Sequence, residues 1–395
     1  MNTFDIVILG GGMVGLALAR ALADSPLSLA VVEPSIPKPL ANERDFSLRV
    51  SAISPASAQF LDELGVWSAL MEQRVQPYKK MHVWEKDSFA KIDFDCQQAM
   101  LSNLGHIIEN EIIRDGLWQQ VCGQANVTII DERCQQLERG QREAWLQFER
   151  FGMVSAQLVV GADGAHSWLR QQCDVPVTFW DYQHHALVAS IHTELPHQEC
   201  ARQVFSADGP LAFLPLSDPH QCSIVWSLPQ ARAQALQQMS LEQFNHELMV
   251  AFDQKLGIST RVSELQAFPL RMRYARQFAG DRFVLVGDAA HTIHPLAGQG
   301  VNLGFADVQA LAMTIKTLAA KGDDLGKHRL LRAWERERKA DAMVMIAAME
   351  FFKQLFAGAH PAKKLLRGMG MSISDRLSPL KLQWMRRALG LANHS

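Results

Sequence analysis

Three glycine-and-acid sites in this chain have the residue types and spacing to hold a charged, phosphate-bearing ligand. The first is Gly10-Gly11-Gly12-Met13-Val14-Gly15, a Gly-x-Gly-x-x-Gly turn, with Glu33 about 20 residues further on. The second is Gly161-Ala162-Asp163-Gly164. The third is Gly287-Asp288, followed by His294-Pro295 and then Gly298-Gln299-Gly300-Val301-Asn302. In the first, Gly10 makes the tight turn, Gly12 lets a pyrophosphate reach the backbone, and Gly15 lets the next helix pack close. That helix N-terminus offers unpaired N–H groups and a partial positive charge to the phosphates. Glu33 stands where a ribose-binding carboxylate belongs. These residues alone leave the dinucleotide open between NAD and FAD. Asp163 and Asp288 each follow an apolar run. Each either braces a ligand at the crevice edge or caps the helix after it.

The elements that must position these sites are legible in outline. Phe4 to Leu9 is a buried strand, Leu16 to Ala23 a helix, and Leu29 to Val32 a second strand. Ser54 to Leu64 and Glu109 to Cys122 read as helices, and Met81 to Phe94 as a hairpin. Val127 to Ile130, Ala144 to Phe148 and Ala156 to Val160 read as strands. From Val175 to Phe268 short β-like runs dominate, at Ala186 to His192, Leu211 to Leu216 and Cys222 to Leu228. A helix over Leu241 to Leu256 interrupts them. Arg282 to Asp288 returns to the strand-then-glycine style, and after Gly304 the chain reads as helix almost to its end, broken near Gly322, Gly358 and Pro361. The fold class is therefore α/β, with a second, sheet-based domain inserted into the first.

Composition narrows the function classes. Of 395 residues, 48% are hydrophobic, enough for a large core. A net charge of -2 favours neither nucleic acid nor an anionic membrane. Six scattered cysteines without a Cys-x-x-Cys pair suggest free thiols in a reducing compartment. Met1 to Asp5 lacks the basic start of a signal peptide. No stretch reaches the run of about 18 apolar residues that a span needs. The expected location is cytoplasmic. Asp288, His291 and His294 have the spacing of a metal site. Their segment ends in Pro295 and a glycine turn rather than a helix, so no metal is expected.

Taken together, Gly10-x-Gly12-x-x-Gly15, Gly161-Ala162-Asp163-Gly164-x-x-Ser167-x-x-Arg170 and Gly287-Asp288-Ala289-Ala290-His291-x-x-x-Pro295-x-x-Gly298-x-Gly300-x-Asn302 resemble the single-component flavoprotein aromatic hydroxylases. The likeness runs from residue 5 to about 307, and it implies the bilobed fold of para-hydroxybenzoate hydroxylase: a Rossmann-like FAD-binding domain, an inserted β-sheet substrate domain and C-terminal helices. Within that group, Arg49 to Ser54 and His291 to Gly304 are similar to the ubiquinone-biosynthesis hydroxylases. Phe179 to Ala189 resembles the branch that hydroxylates 2-polyprenylphenol at ring C5. The implied cofactor is FAD. The implied electron donor is NAD(P)H or a redox partner. The implied reaction is ring hydroxylation with O2 through a flavin C4a-hydroperoxide, which needs no nucleophilic side chain.

Carried over, the resemblance implies that Gly10, Gly12 and Gly15 hold the pyrophosphate, Glu33 the ribose, and Arg49 the phosphates and ribityl. Asp163 and Asp288 brace the cofactor. Gly298, Gly300, Val301 and Asn302 turn their amides to the flavin ring, where charge develops on reduction. Pro295 lies beside the reacting edge, and His294 faces the flavin as the candidate for a proton role. The expected domains are FAD-binding over 1–75, 105–178 and 270–345, substrate-binding over 76–104 and 179–269, and a helical tail over 346–395. His184-His185 and Phe213 to Leu216 are either sheet core or walls of an apolar pocket. The tail carries Lys363, Lys364, Arg367, Arg376, Lys381, Arg386 and Arg387. It is either a docked amphipathic pair with a solvated basic face, or a peripheral contact to the inner membrane or to a ubiquinone-biosynthesis complex. Partners are thus a polyprenylated phenol and O2, and no nucleic acid. Two rival readings remain: another FAD-dependent reductase or halogenase, although the halogenase signature Trp-x-Trp-x-Ile-Pro is absent, and a non-catalytic FAD-binding subunit.

Overall fold

A computed structural model describes residues 2–37, 46–86, 88–89, 91–292 and 300–356, with side chains as far as 348. The first half runs β1 (Asn2–Leu9), α1 (Met13–Ala21), β2 (Leu29–Val32), β3 (Val50–Ile53), α2 (Pro55–Glu63), α3 (Trp67–Met71), β4 (Gln76–Tyr78), β5 (Lys80–Glu85), β6 (Lys91–Asp95), β7 (Gly105–Glu109), α4 (Asn110–Cys122), β8 (Val127–Ile130), β9 (Gln136–Arg139), β10 (Ala144–Gln147), β11 (Met153–Gly161) and α5 (Trp168–Gln172). The second half runs β12 (Val177–Thr193), β13 (Cys200–Ser206), β14 (Gly209–Pro215), β15 (Gln221–Pro229), α6 (Gln230–Gln237), α7 (Leu241–Ala251), β16 (Ser259–Arg261), β17 (Gln266–Ala275), β18 (Ala279–Gly280), β19 (Phe283–Leu285), β20 (His291–Thr292), α8 (Gly300–Ala320) and α9 (His328–Phe356).

The first sheet has the order β18-β19-β11-β1-β2-β8. Its central pairs are parallel: β1 with β2 and β11, β2 with β8, and β11 with β19. Ile6, Val7 and Ile8 are fully buried because helices cover both faces of such a sheet, which is why β1 reads as an unbroken apolar run. The parallel order brings the ends of β1, β11 and β19 side by side, so the three glycine-and-acid turns leave one edge together.

The second sheet has nine strands in the order β20-β17-β12-β15-β14-β13-β5-β6, with β16 beside β12. Its Leu187, Phe213, Ile224 and Trp226 face pack against Phe244, Leu248 and Phe252 of α7 and its flank. A small sheet, β3-β7-β4, lies between the two. There Ala52, Tyr78 and Ile107 pack with Leu214 and Leu216 of the second sheet.

The expected boundaries at 179 and 270 both fall inside strands. β12 begins at Val177, and β17 runs on to Ala275 with each residue from 271 to 275 paired to β12. Arg271 and Arg273 hide β17 from a hydrophobicity pattern, but a strand needs only a partner for its backbone. β20, from within the 270–345 segment, also joins this sheet by pairing with Arg273 and Tyr274. The helix expected to reach Leu256 ends at Ala251, and β9, β13 and α6 add to the elements read from sequence. Gly358, Pro361 and the basic tail lie outside the described residues.

Candidate functional site at the strand ends

The first turn is built by contact as much as by flexibility. Gly10 has φ +110°, and a Cβ there would sit 2.4 Å from the Ala162 carbonyl oxygen. The Gly10 turn and the Asp163 turn are thus in backbone contact, and only glycine fits. A Cβ on Gly15 would lie 2.0 Å from the Gly10 oxygen. Gly12 is different: a Cβ there meets nothing within 4 Å. Gly12 is also the N-cap of α1, with no side-chain cap, so the first-turn amides keep no partner in the helix. Open space beside unpaired N–H groups at a helix start suits a phosphate.

Glu33, at the end of β2, is bound into this turn. Its Oε2 accepts from the Gly11 amide at 2.8 Å, and its Oε1 accepts from the Ser35 amide at 2.8 Å. Each oxygen retains a second lone pair, so a ribose hydroxyl still has an acceptor. Arg114 of α4 clamps the same place. Its Nε donates to Gly11 O at 2.9 Å and its Nη2 to Ser35 O at 3.0 Å, with Glu33 Oε2 at 3.4 Å.

Asp163 answers both alternatives left open by its sequence. Its Oδ2 accepts from the Leu169 amide at 3.1 Å in the first turn of α5, while Ser167 is the N-cap. Its Oδ1 is buried with no hydrogen-bond partner among the described residues. A buried carboxylate oxygen without a donor is costly, and a bound ligand hydroxyl or amide relieves it. Arg170, also buried, donates to Ala165 O and Ala289 O, each at 2.8 Å, and so ties the Asp163 turn to the Asp288 turn.

Asp288 is open to solvent on one side and enclosed by protein on the others. That enclosure raises its carboxyl above the ordinary value, opposed by His291, Arg49 and Arg273. Arg49 and Arg273 therefore belong to the same cleft. The Arg49 guanidinium lies over the Phe268 ring at 5.9 Å, and that of Arg273 over Phe179 at 5.9 Å. On the sheet face that carries Phe268, Tyr182, Ala186, Val225, Leu270 and Met272 form an apolar cluster.

His291 is buried, and its Nε2 donates to Asp307 Oδ2 at 2.6 Å. The ring is thus held by a carboxylate of α8. Burial pulls the His291 imidazole down, but the Asp307 charge and hydrogen bond, with Asp288, raise it above the ordinary value. Asn302 spends its side chain on β3 and α2: Oδ1 accepts from Ser54 N at 3.0 Å and Nδ2 donates to Ala52 O at 2.8 Å. That leaves the backbone amides of Gly300, Val301 and Asn302, the first described residues of α8, without a partner among the described residues. His294, Pro295 and Gly298 lie outside the described residues. Phe213 stacks on Phe252 with ring centroids 3.7 Å apart, in the core behind the sheet, and His184 Nδ1 is held by Tyr182 O at 2.7 Å.

A family model described as FAD binding domain matches residues 3–348. The chain belongs to that FAD-binding family. This flavoprotein is 37% identical over 388 residues to the 3-demethoxyubiquinol 3-hydroxylase of Escherichia coli, covering 98% of each chain. It is 32% identical over 434 residues to the human ubiquinone biosynthesis monooxygenase COQ6, mitochondrial, covering 97% of this chain and 92% of that one. Its fold superposes on the p-nitrophenol 4-monooxygenase PnpA of Pseudomonas putida with a TM-score of 0.79, at 18% identity, covering 98% and 97% of the two chains. The flavoprotein is thus an oxidoreductase of the FAD-dependent monooxygenases, in the branch that includes the ubiquinone-biosynthesis hydroxylases. The likeness stated from its motifs holds at that level. Among the described residues no helix is long and apolar enough to cross a membrane.

Two residues of the flavoprotein's site had no place in the sequence argument. Arg114 sits on α4 beside buried Ile112, Ile113 and Leu117, and a cation on the apolar face of a helix is a visible signal. Asp307 is an acid among Phe305, Val308 and Leu311, the same kind of signal.

Proposed function

We propose that this flavoprotein hydroxylates the aromatic ring of a polyprenylated phenol in ubiquinone biosynthesis, with O2 as co-substrate. The observation that carries the reading is the near-full-length likeness to a 3-demethoxyubiquinol 3-hydroxylase, together with strand-end turns that fit FAD. The orphaned Asp163 Oδ1, the open space at Gly12 and the uncapped α1 are the features of fit. In this reading Gly10, Gly12 and Gly15 hold the pyrophosphate, Glu33 the ribose, Arg49 the phosphates, and Asp163 and Asp288 the ribityl side. The amides of Gly300, Val301 and Asn302, with Gly298, address the ring, and His294 and Pro295 border the reacting edge. When bound, FAD supplies the oxygen-activating chemistry. The chain's own task is to orient the phenol and keep water away, which the apolar cluster of Tyr182, Ala186, Val225, Leu270 and Met272 serves.

Two ring positions compete. The segment Phe179 to Ala189 supports C5 of 2-polyprenylphenol. The likeness to the Escherichia coli 3-demethoxyubiquinol 3-hydroxylase supports 3-demethoxyubiquinol instead. The quinone intermediates of a deletion strain, resolved by mass spectrometry, separate them. Accumulated polyprenylphenol favours the first and accumulated demethoxyubiquinol the second. An unchanged quinone profile rejects both. Rescue by the wild-type gene but not by Gly12→Val ties the profile to flavin binding, and ring hydroxylation by the purified flavin-loaded protein sets turnover apart from a non-catalytic FAD-binding role.

A further inference from the structure

The His291–Asp307 pair has no role in the cofactor assignment above, yet it joins two parts of it. Asp307 is 1% exposed and His291 3%. Asp307 Oδ2 accepts twice, from His291 Nε2 at 2.6 Å and from the Gly287 amide at 3.0 Å. Gly287 precedes Asp288, and Asp307 lies two turns after Gly300, where the first amides of α8 have no partner among the described residues. One carboxylate oxygen therefore sets the distance between the Asp288 turn and the start of α8.

The surroundings leave no slack. A Cβ on Gly304 would come within 2.8 Å of Val14 Cγ2, and one on Gly287 within 3.3 Å of the same atom. Trp334 of α9 donates to Asp307 O at 3.1 Å, and the Phe278 ring flanks His291 with centroids 5.5 Å apart. Burying two ionisable groups in such packing costs more than an apolar pair would. Retaining them makes sense where register matters, because a hydrogen-bonded carboxylate fixes geometry that a hydrophobic contact leaves soft.

We propose that His291 and Asp307 are a positioning pair for FAD, locking the Gly287–Asp288 turn to α8 so that Asp288 and the α8 amides address one cofactor from a fixed separation. The inference rests on the cofactor assignment of Asp288 and α8. The FAD-free full chain would be titrated with FAD by flavin fluorescence, and the midpoint potential of the bound flavin measured, for wild type, Asp288→Ala, His291→Leu, His291→Gln and Asp307→Asn.

His291→Leu and Asp307→Asn should weaken FAD binding about tenfold or more. Both should shift the flavin potential to more negative values, because displaced α8 amides stabilise the anionic reduced ring less. His291→Gln should stay within about threefold of wild type, because its amide Nε2 can donate where the imidazole Nε2 does. A melting temperature for each FAD-free variant shows whether it is folded. Folded His291→Leu or Asp307→Asn with wild-type FAD affinity and potential overturns the proposal. So does His291→Gln as weak as His291→Leu. If His291→Leu does not fold, Asp307→Asn and His291→Gln decide by the same criteria. If Asp288→Ala binds FAD as wild type does, the cofactor assignment itself fails, whatever the pair does.

Discussion

Asn302 Oδ1 accepts a hydrogen bond from the Ser54 amide at 3.0 Å, across 248 residues of chain. Ser54 is itself the N-cap of α2. The amide group of Asn302 also donates to Ala52 O. One side chain thus staples the start of α8 to the end of β3.

Asn302→Ala would leave a backbone donor and a backbone acceptor unpaired. Destabilisation of about 1–3 kcal/mol is expected. FAD affinity should fall with it, because the α8 amides lose their anchor. Urea unfolding and a flavin titration on the same preparation measure both effects. Wild-type values for both would remove Asn302 from the site.

The glycines of the first turn separate folding from binding. A Cβ at Gly12 meets no protein atom within 4 Å, so Gly12→Val should fold with a melting temperature close to that of wild type and purify without flavin. Gly15→Ala drives a Cβ into the Gly10 carbonyl, so it should lose stability as well as flavin. Circular dichroism melts and the flavin absorbance of the purified proteins test the contrast. A yellow Gly12→Val protein would contradict it.

Arg114 presents a fork to two carbonyls and Glu33. Arg114→Lys keeps the charge and loses the fork, so it should behave like Arg114→Ala rather than like wild type. Weaker FAD binding by about tenfold in both, at nearly unchanged thermal stability, is the expected result. Full recovery in the lysine variant would show that charge alone suffices.

Two buried histidines pull stability in opposite directions with pH. Burial holds His106 down to about 4, and its Nδ1 has no partner among the described residues. The unfolded chain therefore takes up this proton first. Stability should fall as pH drops from about 6.5 to about 4, by no more than about 3 kcal/mol. His106→Phe, keeping a ring against Trp67, should flatten that limb. His291 faces Asp307 of α8 and Asp288 of its own turn, beside the Phe278 ring, and is raised. Its contribution is complete below the ordinary imidazole range and is lost as pH rises through the raised value. The melting-temperature difference between wild type and His291→Gln should accordingly shrink at high pH.

Some of this protein is written locally. The strand-turn-helix of residues 4 to 23, Glu33 at the end of β2 and the two later acid turns are legible because each depends on neighbours a few residues away. A glycine that must take φ +110° or an apolar run buried on both faces leaves its mark where it stands. From these the α/β class follows, and the resemblance that their motifs carry implies the FAD-binding family.

The sheet edges were less legible. β17 alternates arginine with apolar residues and contains Pro269, so nothing local marks it as the partner of β12 along its whole length. The seventeen-residue β12 exists because β15 and β17 flank it in turn, with a register shift between Asp181 and His184.

What tertiary structure alone decided is how the turns are held against one another. Arg170 reaching Ala289, Arg114 reaching Gly11, Asn302 reaching Ser54 and Asp307 reaching His291 each join residues far apart in the chain. A hydrogen bond has a range of about 3 Å and no memory of sequence separation. Residue type at one position says that a buried polar group must find a partner. Only the packing of parallel strand ends around α1 and α8 says which one it finds.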